Sequence, residues 1–218
     1  MGWGAGRGGC ISMVEAILFD LDETLYAPGA LLIQAVDRAI TAFVAQRLSL
    51  DWKRADALRV RLWTEHGATV RGLQMLCDCE PRDLHAFCAK RVDPADYLAP
   101  DPTLRTCLAA LAPAKYVFTN AAQRYSRQAL TALGVADLFR GVFAVEFMGY
   151  RPKPDPLPYR WVLDALAVAP EHVLMVDDNP PNLRPAAQLG MRTLLVGSRP
   201  DPDGHPRVPS VLEVSHAL

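Results

Sequence analysis

The sequence predicts an α/β protein: a parallel sheet wrapped by helices, with a helical domain inserted between the first and second strands. Three observations carry that prediction. Short β-rich apolar runs recur along the chain, helical patterns alternate with them, and residues 21–114 separate the first run from the second.

The first run is AILFD at 16–20, apolar up to its closing aspartate. From Pro28 to about Pro100 the pattern turns helical. Leu32, Val36, Ala39, Ile40 and Phe43 share one face, and Leu58, Leu62 and Trp63 make another. A single crossover helix needs far fewer residues, so this stretch reads as an inserted domain. Asp101 followed by Pro102 supplies an N-cap and a first helical position, returning the chain to the core. KYVFTN at 115–120 is the second run, followed by a helix over about 121–133 that stops at Gly134. VFAV at 142–145 and VLMVDD at 173–178 follow. A further helix begins after Asn179 and stops at Gly190, and TLLVG at 193–197 completes the set. The Pro-rich SRPDPDGHPRVPS segment beyond Gly197 is expected as a loosely ordered tail. The expected boundaries are 15–27 and 101–200 for the core, 28–100 for the helical insert and 201–218 for the tail. Residues 1–14 are expected to be a disordered or misassigned extension, with Met13 as an alternative start.

Composition excludes several function classes. Lys and Arg total 23 against 24 Asp and Glu, a formal charge of -1, so no global field draws the chain to nucleic acid or to a membrane surface. Apolar runs fall short of the roughly 20 residues of a spanning helix, and a signal-peptide pattern is missing, so a cytoplasmic location is expected. Cys10, Cys77, Cys79, Cys88 and Cys107 are an odd number, which suits reduced thiols. Cys77, Cys79 and Cys88 with His85 can be read as a metal cluster, but C-x-C lacks the usual C-x₂-C knuckle, and helix packing is the expected role. The glycines of MGWGAGRGGC precede the first strand instead of following it, so they are not a dinucleotide loop.

The chemistry gathers at strand ends. In an extended segment residues i and i+2 point the same way, so Asp20 and Asp22 of FDLDETLY face one site at the C-terminal edge of the sheet, where open parallel sheets bind ligands. The fourth run brings Asp177 and Asp178 to that edge, and the second brings Thr119 and Asn120. Like charges about 4 Å apart repel by roughly 4 kcal/mol at an effective dielectric near 20, so four carboxylates call for a cation. Mg²⁺, which prefers oxygen ligands and leaves room for a phosphate oxygen, is the natural choice. Lys153, between the prolines of RPKPDP, offers a further positive charge, and Thr119 offers a hydroxyl at a strand-to-helix turn.

With these residues in order, FDLDET, VFTN, RPKP and VDDN, the chain resembles the haloacid dehalogenase superfamily of phosphohydrolases from about Ala16 to Gly197. Within it, FDLDETLY, HGATVRGL at 66–73 and RPKPDPLPY are similar to the pyrimidine 5′-nucleotidase-like enzymes. Asn179 departs from that pattern, which often has Ser or Thr there. The resemblance implies a Rossmann-like core with helices on both faces and an α-helical cap between strands 1 and 2. It also implies Asp20 as nucleophile, forming an aspartyl-phosphate, and Asp22 as the acid and base that serves the leaving group and then water. Mg²⁺ would be held by Asp20, the Asp22 backbone carbonyl and Asp177, with Asp178 orienting the shell. Thr119, Asn120 and Lys153 would bind the phosphate, and Lys153 would also restrain Asp20. Glu23 is expected to face solvent and Thr24 to steady its loop.

The implied function is a Mg²⁺-dependent phosphomonoester hydrolase acting on a small phosphorylated metabolite, foremost a nucleoside 5′-monophosphate. Sugar phosphates or phosphoglycolate, a phosphomutase reaction, and a non-enzymatic interaction module are the alternatives. An acid at Asp22 argues for an oxygen leaving group, since halide release needs no proton. In the cap, Gly67 and Gly72 offer close backbone approach to a ligand, and His66, Thr69 and Arg71 offer polar reach. Tyr26, Tyr150 and Arg151 flank the motifs and are candidates for the pocket wall.

Overall fold

The computed structural model describes residues 13–218. Residues 1–12, with Cys10, the early glycines and most of the expected N-terminal extension, lie outside that range. The described residues form a six-stranded sheet of β1 (Ala16–Phe19), β2 (Ala114–Phe118), β3 (Gly141–Phe143), β4 (Val173–Asp177), β5 (Arg192–Val196) and β6 (Arg207–Val208). Its order is β3-β2-β1-β4-β5-β6, and neighbouring strands pair in parallel. The order reverses direction at β1, so the crevice between the C-terminal ends of β1 and β4 is the topological switch point where such sheets hold ligands.

The residues between β1 and β2 begin with four helices: α1 (Leu31–Leu48), α2 (Trp52–His66), α3 (Thr69–Leu76) and α4 (Pro81–Ala89). They bury a core of their own from Phe43, Val44, Leu62, Leu73 and Leu84, with Cys77, Cys79 and Cys88 packed into it or against it. A second face of α1, Leu32, Ala35 and Ala39, packs with Val92 and meets Tyr26, Leu98 and Tyr125. Asp51 caps α2 by accepting from the Arg54 N–H.

The strands alternate strictly between two apolar layers. Ile17, Phe19, Leu174 and Val176 face one layer with α5 (Pro102–Ala110) and α6 (Gln123–Ala132). Ala16, Leu18, Val173 and Met175 face the other with α7 (Pro156–Leu166) and α8 (Pro180–Gln188). This period of two, apolar on both sides, is what a sheet covered by helices on both faces requires. Asp101 accepts from the Thr103 and Leu104 N–H groups at the start of α5. The left-handed residues Gly134 and Gly190 follow α6 and α8. None of the described helices is long and apolar enough to cross a membrane.

The C-terminal segment departs from the expected loose tail. Arg207–Val208 pairs in parallel with Leu195 and Val196, and Val208, Val211 and Val214 are buried in the first apolar layer. Their three-residue spacing suits a short edge strand followed by a 3₁₀ turn over Val211–Ala217. Prolines are tolerated there because β6 is an edge strand.

Candidate active site

Asp20 follows β1 and donates its N–H to the Val176 carbonyl, which locks the end of β1 to that of β4. Asp177 closes β4, and Asp178 follows it at the start of the turn into α8. Ligand oxygens of Asp20, Asp177 and Asp178 all lie within 4.8 Å of one another, and all three residues are buried. The Lys153 Nζ sits among them, donating to Asp20 Oδ1 at 2.9 Å, to Asp177 Oδ2 at 2.7 Å and to the Phe118 carbonyl at 2.8 Å. Only 1% of the Lys153 side chain is exposed, so this ammonium is spent wholly inside the site.

The electrostatics follow from that packing. Burial alone would push the Lys153 ammonium down, but Asp177 and Asp20 more than offset it and hold it above its ordinary value. Burial raises the Asp20 carboxyl well above the usual carboxylate range, against the pull of Lys153 and with help from the charges of Asp177 and Asp178. Asp178 is pushed up to about 7, chiefly by burial and then by Asp177, with Arg199 opposing. Asp20 and Asp177 share one ammonium while Asp178 pairs with Arg199, and an added cation would lower the cost of gathering three carboxylates there.

A dependence of stability on pH follows. The folded Asp178 binds its proton more tightly than the unfolded chain, whose ordinary value is 3.8. The folded state therefore holds the extra proton between about pH 4 and pH 7, and metal-free stability falls as pH rises through that window. Thermal melting in EDTA should lose several degrees from pH 5 to pH 8, and saturating Mg²⁺ should remove the loss. A melting temperature in EDTA that is flat or rising over that range would contradict this.

Asp22 stands apart from the acidic group. Its Oδ1 accepts from the Tyr26 Oη at 2.5 Å and from the Tyr125 Oη at 3.0 Å. Burial raises the Asp22 carboxyl while both phenols draw it down. Burial, with the Asp22 charge next in weight, lifts both phenols above their usual range, so they stay protonated donors.

Thr119 is buried at the end of β2, where its Oγ1 accepts from the Ala121 N–H at 3.1 Å, leaving the hydroxyl proton for another acceptor. Asn120 spends its side chain on the Lys153 backbone, donating to its carbonyl at 3.1 Å and accepting from its N–H at 2.7 Å. The motif residues Asp20, Asp22, Thr119, Asn120, Lys153 and Asp178 line one cavity, while Asp177 lies behind them, held by Lys153.

Several partners escaped the sequence reading. Asn182 donates to both Asp177 oxygens, at 3.0 and 3.1 Å, from one turn into α8. Arg199 bridges Asp178 at 3.0 Å and Glu23 at 2.6 Å. Glu23 does not face solvent as expected: it also accepts from the Gly29 N–H at 2.8 Å, and its backbone is left-handed with φ 58. A lone arginine in a Pro-rich loop carries no periodic signal. Asn182, five residues after Asp177, was visible only as a polar residue on the sheet-facing side of a helix.

The cavity lies between core and cap and measures about 590 Å³. Its cap wall is largely apolar, with Ile33, Val36 and Ile40 of α1, Val60 and Trp63 of α2, and Val92. Arg59 is the cap cation in that wall, and its guanidinium is paired with Asp37, Asp56 and Thr41. Of the cap residues singled out from HGATVRGL, Gly67 and Thr69 line the cavity. Gly72 serves helix packing instead, because a Cβ there would lie 2.6 Å from the Leu62 side chain and 2.8 Å from that of His66. Gly67 is the left-handed cap of α2 and lies against Pro154, where a Cβ would meet Cδ at 2.9 Å. Tyr150 and Arg151 are not part of the cavity lining; Tyr150 lies beside the His85 ring and Arg151 pairs with Asp155.

Comparison with known proteins places this arrangement. The family model for haloacid dehalogenase-like hydrolase matches residues 14–190. Phosphoglycolate phosphatase of Rhodospirillum rubrum is 28% identical over 208 residues, covering 84% of this chain and 80% of that protein. Phosphate metabolism protein 8 of Saccharomyces cerevisiae is 27% identical over 195 residues, covering 81% of this chain, which spans 60% of the yeast protein's length. Among solved structures, CbbY from Rhodobacter sphaeroides in complex with phosphate superposes with a TM-score of 0.69 at 24% identity, covering 93% of this chain and 96% of that one. L-2-haloacid dehalogenase from Xanthobacter autotrophicus shares the fold, with a TM-score of 0.60 at 18% identity over 94% and 98% of the two chains. A parallel sheet in the order described, aspartates at the ends of β1 and β4, and a family match spanning the core and the helical insert lead to one conclusion: the chain belongs to the haloacid dehalogenase-like hydrolase family.

Proposed function

We propose that this chain is a Mg²⁺-dependent phosphomonoester hydrolase that works through an aspartyl-phosphate on Asp20 and takes a nucleoside 5′-monophosphate. The observation that carries the reading is the buried Lys153 bridging Asp20 and Asp177 at the floor of a cavity large enough for a small metabolite. Names among the relatives, phosphoglycolate phosphatase and phosphoserine phosphatase, support phosphoester chemistry.

The donor set fits Mg²⁺: hard carboxylate oxygens within reach of one another, with raised Asp20 and Asp178. Asp20, Asp178 and the Asp22 backbone carbonyl would hold the ion, with Asp177, tied to Lys153 and Asn182 behind the cavity, steadying the site instead of ligating as its sequence position suggests. When bound, the ion would neutralise charge on the transferring phosphoryl group. Asp20 attacks phosphorus in line while Lys153 keeps its carboxylate in place, and the reaction is split into two easier displacements. Asp22, outside the acidic group, protonates the leaving oxygen and then takes a proton from the attacking water. Thr119 donates its hydroxyl proton to a phosphate oxygen. Asn120 acts through the Lys153 backbone that it clamps, so its side chain is a positioning group.

The cap wall supports a nucleoside over phosphoglycolate. Ile33, Val36, Ile40, Val60 and Trp63 offer apolar contact for a ring, whereas a second carboxylate would find Arg59 already paired. Phosphate release from UMP, CMP, sugar phosphates and phosphoglycolate should show kcat/KM at least about tenfold higher for the nucleotides, a difference of roughly 1.4 kcal/mol. EDTA should abolish all of it reversibly. Preference for phosphoglycolate would overturn the substrate class, and indifference to EDTA would remove the metal.

A further inference from the structure

We propose that Tyr26 and Tyr125 form a clamp that positions Asp22, fixing Oδ1 so that Oδ2 carries the proton to the leaving group. The inference rests on Asp22 being the acid of the proposed hydrolase. Two phenols from distant parts of the chain, one four residues after Asp22 and one on α6, donate to the same carboxylate oxygen, at 2.5 and 3.0 Å. Among the described residues Oδ2 has no hydrogen-bond partner, nor is it among the buried atoms left unsatisfied, so it is the oxygen open to the cavity that Asp22 lines. A carboxylic acid with one oxygen held by two donors keeps its proton on the other.

As the bond between Asp20 and phosphorus forms and the ester P–O bond breaks, the Oδ2 proton passes to the departing oxygen. In the second step water attacks phosphorus and releases Asp20, and Oδ2 takes up the proton that water loses. Both events use one oxygen at one place, which the clamp provides without blocking it.

Both rings also pack against two hydrophobic clusters, the core layer and the α1 face built from Leu32, Ala35 and Ala39. The clamp therefore sits where the insert meets the core, and seating of the cap holds the acid in line.

The test compares leaving groups with Mg²⁺ saturating. An aryl ester such as p-nitrophenyl phosphate leaves readily without protonation, whereas UMP, an alkyl ester, needs it. Tyr125→Phe and Tyr26→Phe, made separately so that each variant keeps one bond, should lower kcat/KM, which reports the first displacement, about tenfold more for UMP than for the aryl ester. Asp22→Asn should show the same selectivity in stronger form. Equal losses on both esters in the tyrosine variants, beside a selective loss in Asp22→Asn, would overturn the clamp while leaving Asp22 as the acid. Equal losses in Asp22→Asn itself would instead overturn the acid assignment. Thermal melting identifies a variant that fails to fold, and the other single variant then decides the question.

Discussion

Asp20→Asn is expected to abolish phosphate release, lowering turnover by roughly 10⁵-fold, while the protein stays folded. The amide keeps the shape and an oxygen that accepts from the Lys153 Nζ, but it cannot form the phosphorylated intermediate. Stability should not suffer. Burial and the charges of Asp177 and Asp178, outweighing Lys153, already favour the neutral form of Asp20, so an uncharged side chain matches what the metal-free site prefers. Phosphate release on a nucleotide and thermal melting in EDTA check the two halves together. Hydrolysis persisting at the parental rate would reject Asp20 as nucleophile; a collapsed melting curve would show that its charge is needed structurally.

Lys153→Met should cost both activity and stability. The ammonium is the cation that Asp20 and Asp177 share inside the protein, at 2.9 and 2.7 Å. Removing one partner of a buried pair leaves charge uncompensated, typically a loss of about 3–5 kcal/mol. Turnover should fall by roughly 10²–10³-fold, because a donor to the reacting centre is gone. Mg²⁺ should recover much of the stability by binding the freed carboxylates, yet little of the activity. Denaturant melts with EDTA and with Mg²⁺, beside steady-state kinetics, separate these effects. A variant as stable as the parent in EDTA would contradict the claim that this ammonium compensates buried charge.

The parts of this fold that were legible in the sequence are those where burial imposes a pattern. AILFD and VLMVDD are apolar on both faces because helices cover both sides of the sheet, and each ends in aspartate where the strand leaves the core. Asp20, Asp177 and Thr119 inherit their positions from those strand ends, and Lys153 is marked by the prolines beside it. The C-terminal edge was misread because a two-residue strand among prolines has no period to detect; only Val208, Val211 and Val214 hinted at a buried face. Arg199, Asn182 and Tyr125 meet the site through tertiary packing, which spacing along the chain does not encode. Glu23 was misread for a related reason: its left-handed backbone turns a charged side chain in toward Arg199. Gly72 looked like room for a ligand, yet the room is filled by Leu62 and His66 of a neighbouring helix.

The central claim is that phosphate passes through Asp20 before reaching water. The stereochemical course at phosphorus tests it without requiring the intermediate to accumulate. A nucleoside 5′-phosphorothioate made chiral at phosphorus with two oxygen isotopes, hydrolysed in water of the third, yields a chiral thiophosphate, and each in-line displacement inverts the centre. Two displacements through Asp20 should give net retention in the thiophosphate, and net inversion, the mark of direct attack by water, would contradict the intermediate.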